Sequence, residues 1–195
     1  MGTLACNLAP RRCPGSGRSR SQPKTAGYCW RMEIVPYSAE HREPLLALSL
    51  RAWEPVFPLV KSAVPPFVYE SFYPGGWRSR QSNDLGAILD GEPENIDVAL
   101  VDKSPAGWVC MRLHPEDSMG EVYVLAVDPR HQGKGIGPAL VQHAIEQARV
   151  HGMHMVMVET GDDPGHSPAR HLYEGSGFKR WPVARYFKEI SGGTP

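Results

Sequence analysis

The residues best suited to chemistry form one stretch that begins with an acidic side chain and ends in a glycine-rich turn. Its sequence is Glu121-Val-Tyr-Val-Leu-Ala-Val-Asp-Pro-Arg-His-Gln-Gly-Lys-Gly-Ile-Gly137. Glycine lets a backbone approach a ligand closely, and the free N–H groups at the start of a helix attract anions. The alternating glycines at 133, 135 and 137 therefore predict a turn that binds phosphate.

A buried strand and a helix must position this turn. The apolar run 122–127 is rich in β-branched residues and has the length of a strand, which Asp128-Pro129 should end. An apolar face repeats with helical spacing from Pro138 to about Val150, and Gly152 should stop that helix. Residues 153–159 read as the next buried strand. A strand–helix–strand unit requires two parallel strands.

Two common phosphate-binding motifs fit the turn poorly. A nucleotide P-loop needs Ser or Thr after its lysine, whereas Lys134 is followed by Gly135. A dinucleotide fingerprint begins correctly at Gly133-Lys-Gly135 but has Pro138 at the third glycine position. Glu159, at the end of the next strand, could imitate the acidic residue that binds ribose, so this alternative stays open but weak.

The pattern Gln-x-x-Gly-x-Gly fits without adjustment at Gln132, Gly135 and Gly137. Preceded by Leu-Ala-Val-Asp-Pro, it resembles the acetyl-CoA-binding motif of the GNAT superfamily of N-acetyltransferases. A second segment, Ala169-Arg-His-Leu-Tyr-Glu-Gly-Ser-Gly-Phe178, resembles the helix that packs near the cofactor thiol in that superfamily. The resemblance extends over about 32–190 by the order of elements.

The resemblance implies specific contacts with acetyl-CoA. Main-chain groups around Leu125, Ala126 and Val127 would bind the pantetheine arm as an added strand does. The Leu125 N–H would face the thioester carbonyl. His166 stands about where relatives have an asparagine that contacts the cofactor. Backbone N–H groups of the turn would hold the pyrophosphate, and these belong to Gln132, Gly133, Lys134, Gly135, Ile136 and Gly137; Pro138 has no N–H to add.

Two residues are candidates for proton transfer. Tyr173 occupies the position at which many GNAT proteins have a general acid, and a phenol can protonate a leaving thiolate. Glu121 coincides with the acidic base of some relatives and could deprotonate an ammonium directly or through water. An ordinary packed tyrosine and a solvated strand-edge glutamate are the alternative readings. The eight histidines form no recognisable metal motif, and no metal is expected.

The remaining pattern predicts an α/β (α+β) fold. We expect a mixed, mostly antiparallel central sheet, with splayed parallel middle strands and flanking helices. Residues 56–82 read as a broken helical segment, and Asn83 as a cap for helical residues 83–89. The other predicted elements are strands 33–37, 96–102 and 107–113, a turn at 103–106, a helix ending near Pro55, a helix over 169–175 and a closing strand over 184–190.

Charge and cysteine use limit the class of protein. Of the 21 Lys and Arg residues six lie in residues 1–31, which hold none of the 21 acids, so the remainder has six more acidic than basic side chains. This balance argues against nucleic acid and favours a cationic or amine substrate. Cys6, Cys13, Cys29 and Cys110 have no metal spacing and indicate a reducing, cytoplasmic compartment. No run is long enough to cross a membrane.

The domain organisation follows from the same composition. Residues 1–31 are expected to be a disordered or non-native leader, residues 32–190 an acetyltransferase domain and residues 191–195 a tail. The function we predict is direct transfer of acetyl from acetyl-CoA to a primary amine of a small molecule or peptide. A non-catalytic acyl-CoA-binding module is the alternative. Many superfamily members are dimers, so the resemblance allows a homodimer, and the acceptor is not encoded in any motif.

Overall fold

The computed structural model describes residues 31–190. The predicted leader, apart from Arg31, and the predicted tail lie outside these residues. Strands are β1 (Met32–Pro36), β2 (Ile96–Val101), β3 (Ser104–His114), β4 (Met119–Val127) and β5 (Met155–Val158). Helices are α1 (Arg42–Trp53), α2 (Val56–Ala63), α3 (Pro66–Phe72), α4 (Trp77–Gly91), α5 (Ile136–Val150) and α6 (Ser167–Gly175).

The five strands form one sheet in the order β1-β2-β3-β4-β5. Neighbouring strands are antiparallel except for β4 and β5, which are parallel because α5 connects them. The pairing of β4 with β5 ends at Val122 and Val158, whereas β4 continues to Val127. The last five residues of β4 therefore lack a strand partner on the β5 side, which confirms the predicted mixed sheet with diverging parallel strands.

A β-bulge interrupts β4 near the point where the two parallel strands separate. Cys110 of β3 faces Val124, but the next residue, Met111, faces Val122, so Tyr123 is the extra residue. A bulge shifts the alternation of side chains along a strand. As a result, Val124 and Ala126 face one side of the sheet, and Val122 and Leu125 face the other.

Two hydrophobic layers cover the sheet. One side packs against α1 and α4 around Trp108, whose indole Nε1 donates a 2.9 Å hydrogen bond to Ser49 Oγ. The other side packs against α5 around Val109 and Leu140. Since adjacent residues of β3 point to opposite faces, Trp108 and Val109 anchor the two layers from one short segment. The core thus fixes β3 and β4 relative to α1 and α5.

Three predicted boundaries differ from the structure. The hairpin turn is shorter than 103–106, because Asp102 and Lys103 both adopt positive φ, as in a two-residue type I′ turn, and β3 begins at Ser104. Asn83 is not a cap: α4 begins six residues earlier, at Trp77, after Gly76 with φ of +83°. Helix α5 begins at Ile136, which places Pro138 in its first turn, where a missing N–H is tolerated.

The predicted closing strand over 184–190 is wrong. Residues 178–190 have no regular secondary structure, and Trp181, Tyr186 and Ile190 are each at least 86% exposed. Isolated side-chain contacts hold the segment instead of strand pairing. Arg185 Nη2 lies 2.9 Å from Glu159 Oε1, and the Phe187 ring makes an edge contact with a ring of α3. The residue types at 184–190 did not reveal that no strand of the described sheet pairs with this segment.

Among residues 31–190, no helix combines the length and apolar character needed to cross a bilayer.

Candidate active site

The glycine-rich turn joins the end of β4 to the start of α5. Gly133 and Gly135 have φ of +74° and +84°, a backbone region that other residues adopt only with strain, and Gly135 is the N-cap of α5. A Cβ atom at either position would meet nothing within 4 Å, so this part of the turn borders open space. The first N–H groups of a helix have no intrahelical acceptor and suit an anion.

Side chains of the turn fasten it to the strand. The Gln132 amide Nε2 donates to the Val127 carbonyl oxygen at 3.1 Å, and Lys134 Nζ donates to the Arg130 carbonyl oxygen at 2.9 Å. The first bond ties the turn to the end of β4, and the second joins two residues within the connection between β4 and α5. The motif positions Gln132 and Lys134 therefore act on the conformation of the turn.

At Gly137 the absence of a side chain matters for helix packing, and its backbone conformation does not require glycine. A Cβ atom there would lie 3.2 Å from Leu172 Cδ2 of α6, so the absence of a side chain lets α5 and α6 approach each other. Tyr173 is the next residue of α6. The glycine motif and the second sequence motif are thus brought together in space by this helix contact.

The end of β4 exposes main-chain groups on its open edge. The Asp128 N–H donates to the Ala106 carbonyl oxygen of β3 at 2.9 Å. Since main-chain groups alternate in direction along an antiparallel strand, those of Val127 and Leu125 point away from β3, towards the side on which β5 has ended. Ala126 turns its main-chain groups towards β3 and its methyl group into the core, so the predicted contact at Ala126 has no main-chain group at this edge.

Asp128 is an important residue of the turn that was not predicted from the sequence. Its carboxylate is fully buried and accepts hydrogen bonds from Arg51 Nη2 at 2.6 Å and from Arg130 Nη2 at 2.7 Å. The Arg130 guanidinium, assisted by that of Arg51, holds the pKa of Asp128 well below its usual range in spite of burial. Asp128 also accepts a hydrogen bond from the Arg130 N–H. Through its bonds to Arg51 of α1 and to Arg130, Asp128 ties α1 to the start of the turn.

Asp128→Asn is expected to reduce the free energy of unfolding by about 2 kcal/mol at pH 7, since it weakens two charge-assisted bonds to a buried group. A carboxyl whose folded pKa is depressed contributes stability above its unfolded pKa, near 3.9, and loses that contribution as pH falls further. The difference from the parent chain should therefore shrink between about pH 5 and pH 2. Urea unfolding at several pH values measures it, with exposed Asp117→Asn as the control.

Tyr173 lies on α6 and is buried. Burial raises the pKa of its phenol to about 12, so the hydroxyl keeps its proton throughout the range in which enzymes are assayed. The Tyr173 ring centroid lies 5.9 Å from that of Phe178, the last residue of the second motif. A protonated, packed phenol beside the glycine turn can act as a proton donor.

His166 lies in the 3₁₀ turn Pro164–His166 immediately before α6. Its Nδ1 is 2.6 Å from Asp163 Oδ2, and this contact fixes the orientation of the imidazole ring. Arg170 braces the same loop by donating from Nη1 to the carbonyl oxygens of Gly161 and Asp163, at 2.6 and 2.7 Å. The loop is therefore built by side chains of α6, and His166 is one of its structural members.

Glu121 is the third residue of β4 and lies on the sheet face that carries α1 and α4. Its Oε2 is 2.9 Å from Nε2 of His114, the last residue of β3. The Glu121 side chain is 18% exposed and that of His114 is 32% exposed. His114 was not singled out by sequence reasoning, since the pair forms only through the hairpin of β3 and β4.

An aromatic cluster borders the loop before α6. The Phe57 and Trp77 rings stack with centroids 4.4 Å apart, and Tyr73 makes an edge contact with Phe57. Gly165 lies so close to α2 that a Cβ atom there would be 2.8 Å from the Val56 carbonyl oxygen. The predicted broken helical segment 56–82 is confirmed, and α2 packs directly on the loop that contains His166.

Within the part of the chain that the structure describes, His, Cys, Asp and Glu side chains form no group of three or more that could hold a metal ion.

The family model described as "Acetyltransferase (GNAT) family" matches residues 64–178, more than half of the chain. This match covers the open end of β4, the glycine turn, α5 and α6. The chain belongs to the GNAT acetyltransferase family. The resemblance on the two motifs is thereby confirmed.

Individual relatives agree with this assignment. The chain is 36% identical over 110 residues to a mycothiol acetyltransferase from Acidothermus cellulolyticus, an alignment that covers 55% of this chain and 32% of the relative. A mycothiol acetyltransferase from Thermomonospora curvata is 37% identical over 92 residues, which cover 47% of this chain and 30% of the relative. The chain therefore spans about a third of the length of these curated relatives.

Solved structures share the fold at low sequence identity. The PaiA N-acetyltransferase from Thermoplasma acidophilum, in complex with coenzyme A, superimposes with a TM-score of 0.57 at 18% identity, over 79% of this chain and 93% of that one. The ribosomal-protein-S18-alanine N-acetyltransferase from Escherichia coli gives the same TM-score at 16% identity, over 83% and 86%. These similarities confirm the fold class.

Proposed function

We propose that this protein transfers an acetyl group from acetyl-CoA directly to a primary amine of a small molecule or peptide. The observation that carries the proposal is the open edge of β4, which leads straight into the glycine turn; α5, which follows the turn, packs at Gly137 against α6, the helix that carries buried Tyr173. Family membership gives the reaction class, and the open edge fits an extended ligand with a phosphate-bearing end. We place the reaction in the cytoplasm, as the cysteine content favours.

Each part of this edge suits one part of the cosubstrate. The outward main-chain groups of Leu125 and Val127 would bind the pantetheine arm, although the Val127 carbonyl oxygen is already shared with Gln132. The N–H groups from Gly133 to Gly137 would bind the pyrophosphate, since the positive φ angles at Gly133 and Gly135 turn the chain around open space. His166, held by Asp163, is the remaining candidate contact.

Three groups of the chain would promote transfer. Glu121 takes a proton from the acceptor ammonium, and it does so through water because it lies four residues before Leu125, about 13 Å along an extended strand. The Leu125 N–H donates to the thioester carbonyl oxygen as negative charge builds there. Tyr173 donates its proton to the departing thiolate, and the second proton that the amine nitrogen loses as the amide forms restores the phenol.

Direct transfer is favoured over a covalent cysteine intermediate. Cys110 is the only cysteine among residues 31–190, and it is fully buried. Burial raises the pKa of the Cys110 thiol to about 12, so a thiolate nucleophile does not form there at neutral pH. The state of Cys110 thus supports direct passage of acetyl to the amine in a ternary complex.

The chemistry near Glu121 favours a cationic acceptor. Carboxylates of Glu116 and Glu121 lie at the junction of β3 and β4, where Glu92 is already paired with Arg112, and aromatic rings of α2 and α4 border the loop before α6. Both kinds of group attract ammonium ions. The curated relatives are named for mycothiol, and one structural neighbour is named for a ribosomal protein, so small-molecule and peptide amines both belong in the test.

The test is a panel of amines assayed with acetyl-CoA and the full chain, with thiol release and acetylated product both measured. Ethanolamine, spermidine, glucosamine, an alanine-terminated peptide and a lysine peptide sample the two acceptor classes. We expect thiol release that depends on at least one of these amines. Coenzyme A binding without amine-dependent thiol release would contradict the proposal.

A further inference from the structure

His114, Glu121 and Glu116 form a row of side chains that leads from the sheet to solvent. Nε2 of His114 is 2.9 Å from Glu121 Oε2, and Nδ1 of the same ring is 3.7 Å from Glu116 Oε1. Exposure of the side chains rises along the row, from 18% at Glu121 through 32% at His114 to 70% at Glu116. The imidazole thus bridges a largely covered carboxylate and an exposed one.

The tight connection between β3 and β4 creates this row. β3 ends at His114, the 3₁₀ turn Pro115–Asp117 follows, and Ser118 adopts a left-handed conformation with φ of +52° before β4 begins. This reversal brings Glu116 back beside the imidazole and places Glu121 on the same face of the hairpin. None of the three is adjacent in sequence, so the row is a product of the turn.

We infer that His114 is a positioning and proton-carrying residue, which removes the acceptor's proton from Glu121 and passes it to solvent. This inference rests on the proposed function, in which Glu121 is the base. A base that keeps its proton is inactive in the next cycle, and a carboxylate whose side chain is only 18% exposed has limited contact with bulk water. An imidazole between two carboxylates supplies the missing exit.

The proton balance of this transfer is simple. An N–H bond of the acceptor ammonium breaks, its electron pair stays on nitrogen, and the proton reaches a Glu121 oxygen. His114, in the tautomer with its proton on Nδ1, accepts the Glu121 proton at Nε2 and becomes an imidazolium. It then loses the Nδ1 proton to water beside Glu116, which leaves Glu121 as a carboxylate that accepts a hydrogen bond from the Nε2–H of neutral His114. Exchange of the ring proton through water returns it to Nδ1 before the next transfer.

The groups around the row leave Glu121 available to His114. Arg112, the cross-strand neighbour of Glu121, donates from Nε and Nη2 to Glu92 and lies 3.2 Å from the centre of the Tyr123 ring. The register neighbour on β5 is uncharged Met157. Two further titratable groups lie close to this face, namely Glu94 and the buried thiol of Cys110. The Arg112 guanidinium therefore forms its ion pair with Glu92 and not with Glu121.

His114→Ala and His114→Gln are expected to lower kcat about tenfold at pH 7, less than loss of a base costs, because Glu121 still takes the first proton. The assay uses the panel amine with the fastest turnover. Added imidazole should restore much of the lost rate in His114→Ala. Added imidazole should have no such effect on the parent chain.

His151→Gln, at an exposed position beyond α5, is the matched control and should keep the parent rate with and without imidazole. Unchanged rates in both His114 variants would overturn the inference. So would a loss of rate in His114→Ala that added imidazole does not restore. A failure of the proposed function gives a different result: the parent chain itself would release no thiol with any amine of the panel.

Discussion

Tyr173→Phe is expected to lower kcat about 100-fold, close to 2.7 kcal/mol of transition-state free energy, while the KM for acetyl-CoA changes little. The phenol donates a proton to the departing thiolate, an interaction that forms only as the thioester breaks. Burial raises the pKa of Tyr173 to about 12. The parent chain should therefore lose no activity through ionisation of Tyr173 below about pH 10.

The appropriate control is Tyr186→Phe, which removes the same hydroxyl from a side chain that is 89% exposed. Initial rates of thiol release and thermal unfolding should be measured for both variants. Because the ring of Tyr173 stays in place, its contact with Phe178 should persist and the fold should keep its stability to within about 1 kcal/mol. A Tyr173→Phe variant with the parent kcat would show that the tyrosine only packs.

Glu121→Gln is expected to lower kcat about 100-fold at neutral pH, because an amide cannot accept the ammonium proton. Raising the pH should recover part of the rate, since a growing fraction of the acceptor amine is then deprotonated in solution. The side chain keeps its size, and its amide can still contact His114, so the hairpin should remain folded. Rates from pH 6 to pH 10 with one acceptor measure the effect.

Glu146→Gln provides the matched change on the exposed side of α5, away from the β3–β4 hairpin, and should leave both kcat and its pH dependence unaltered. A Glu121→Gln variant with equal loss at every pH would contradict the role of Glu121 as the base. Loss of folded structure in Glu121→Gln, with no recovery of the rate at higher pH, would also contradict this role. That result would identify the contact between Glu121 and His114 as purely structural.

Local sequence signals predicted the turn and its helix well. Gly133 and Gly135 adopt the positive φ angles that their residue type permits, and Asp128-Pro129 ends the strand as expected. These features depend on neighbouring residues alone, which is why spacing is sufficient to predict them. The same kind of signal misplaced Asn83, because the start of α4 depends on Gly76 and on Trp77 stacking against Phe57.

Features that join distant parts of the chain were not visible in the pattern. Arg51 and Asp128 are 77 residues apart, and their hydrogen bond exists only because α1 packs across the end of β4. The predicted strand over 184–190 does not form, and no strand of the described sheet pairs with that segment. Strand formation is decided by pairing, and hydrogen-bonded partners come from elsewhere in the chain.

The sequence by itself determined the family, the glycine turn and the placement of Tyr173 on the helix beside it, because these follow from residue types at fixed short spacings. Only the tertiary structure decided what surrounds Glu121. The bulge at Tyr123 and the register of β3 against β4 place His114 within hydrogen-bonding distance of it. A one-residue change in register would turn these side chains to opposite faces, so the proton path is a property of the folded sheet.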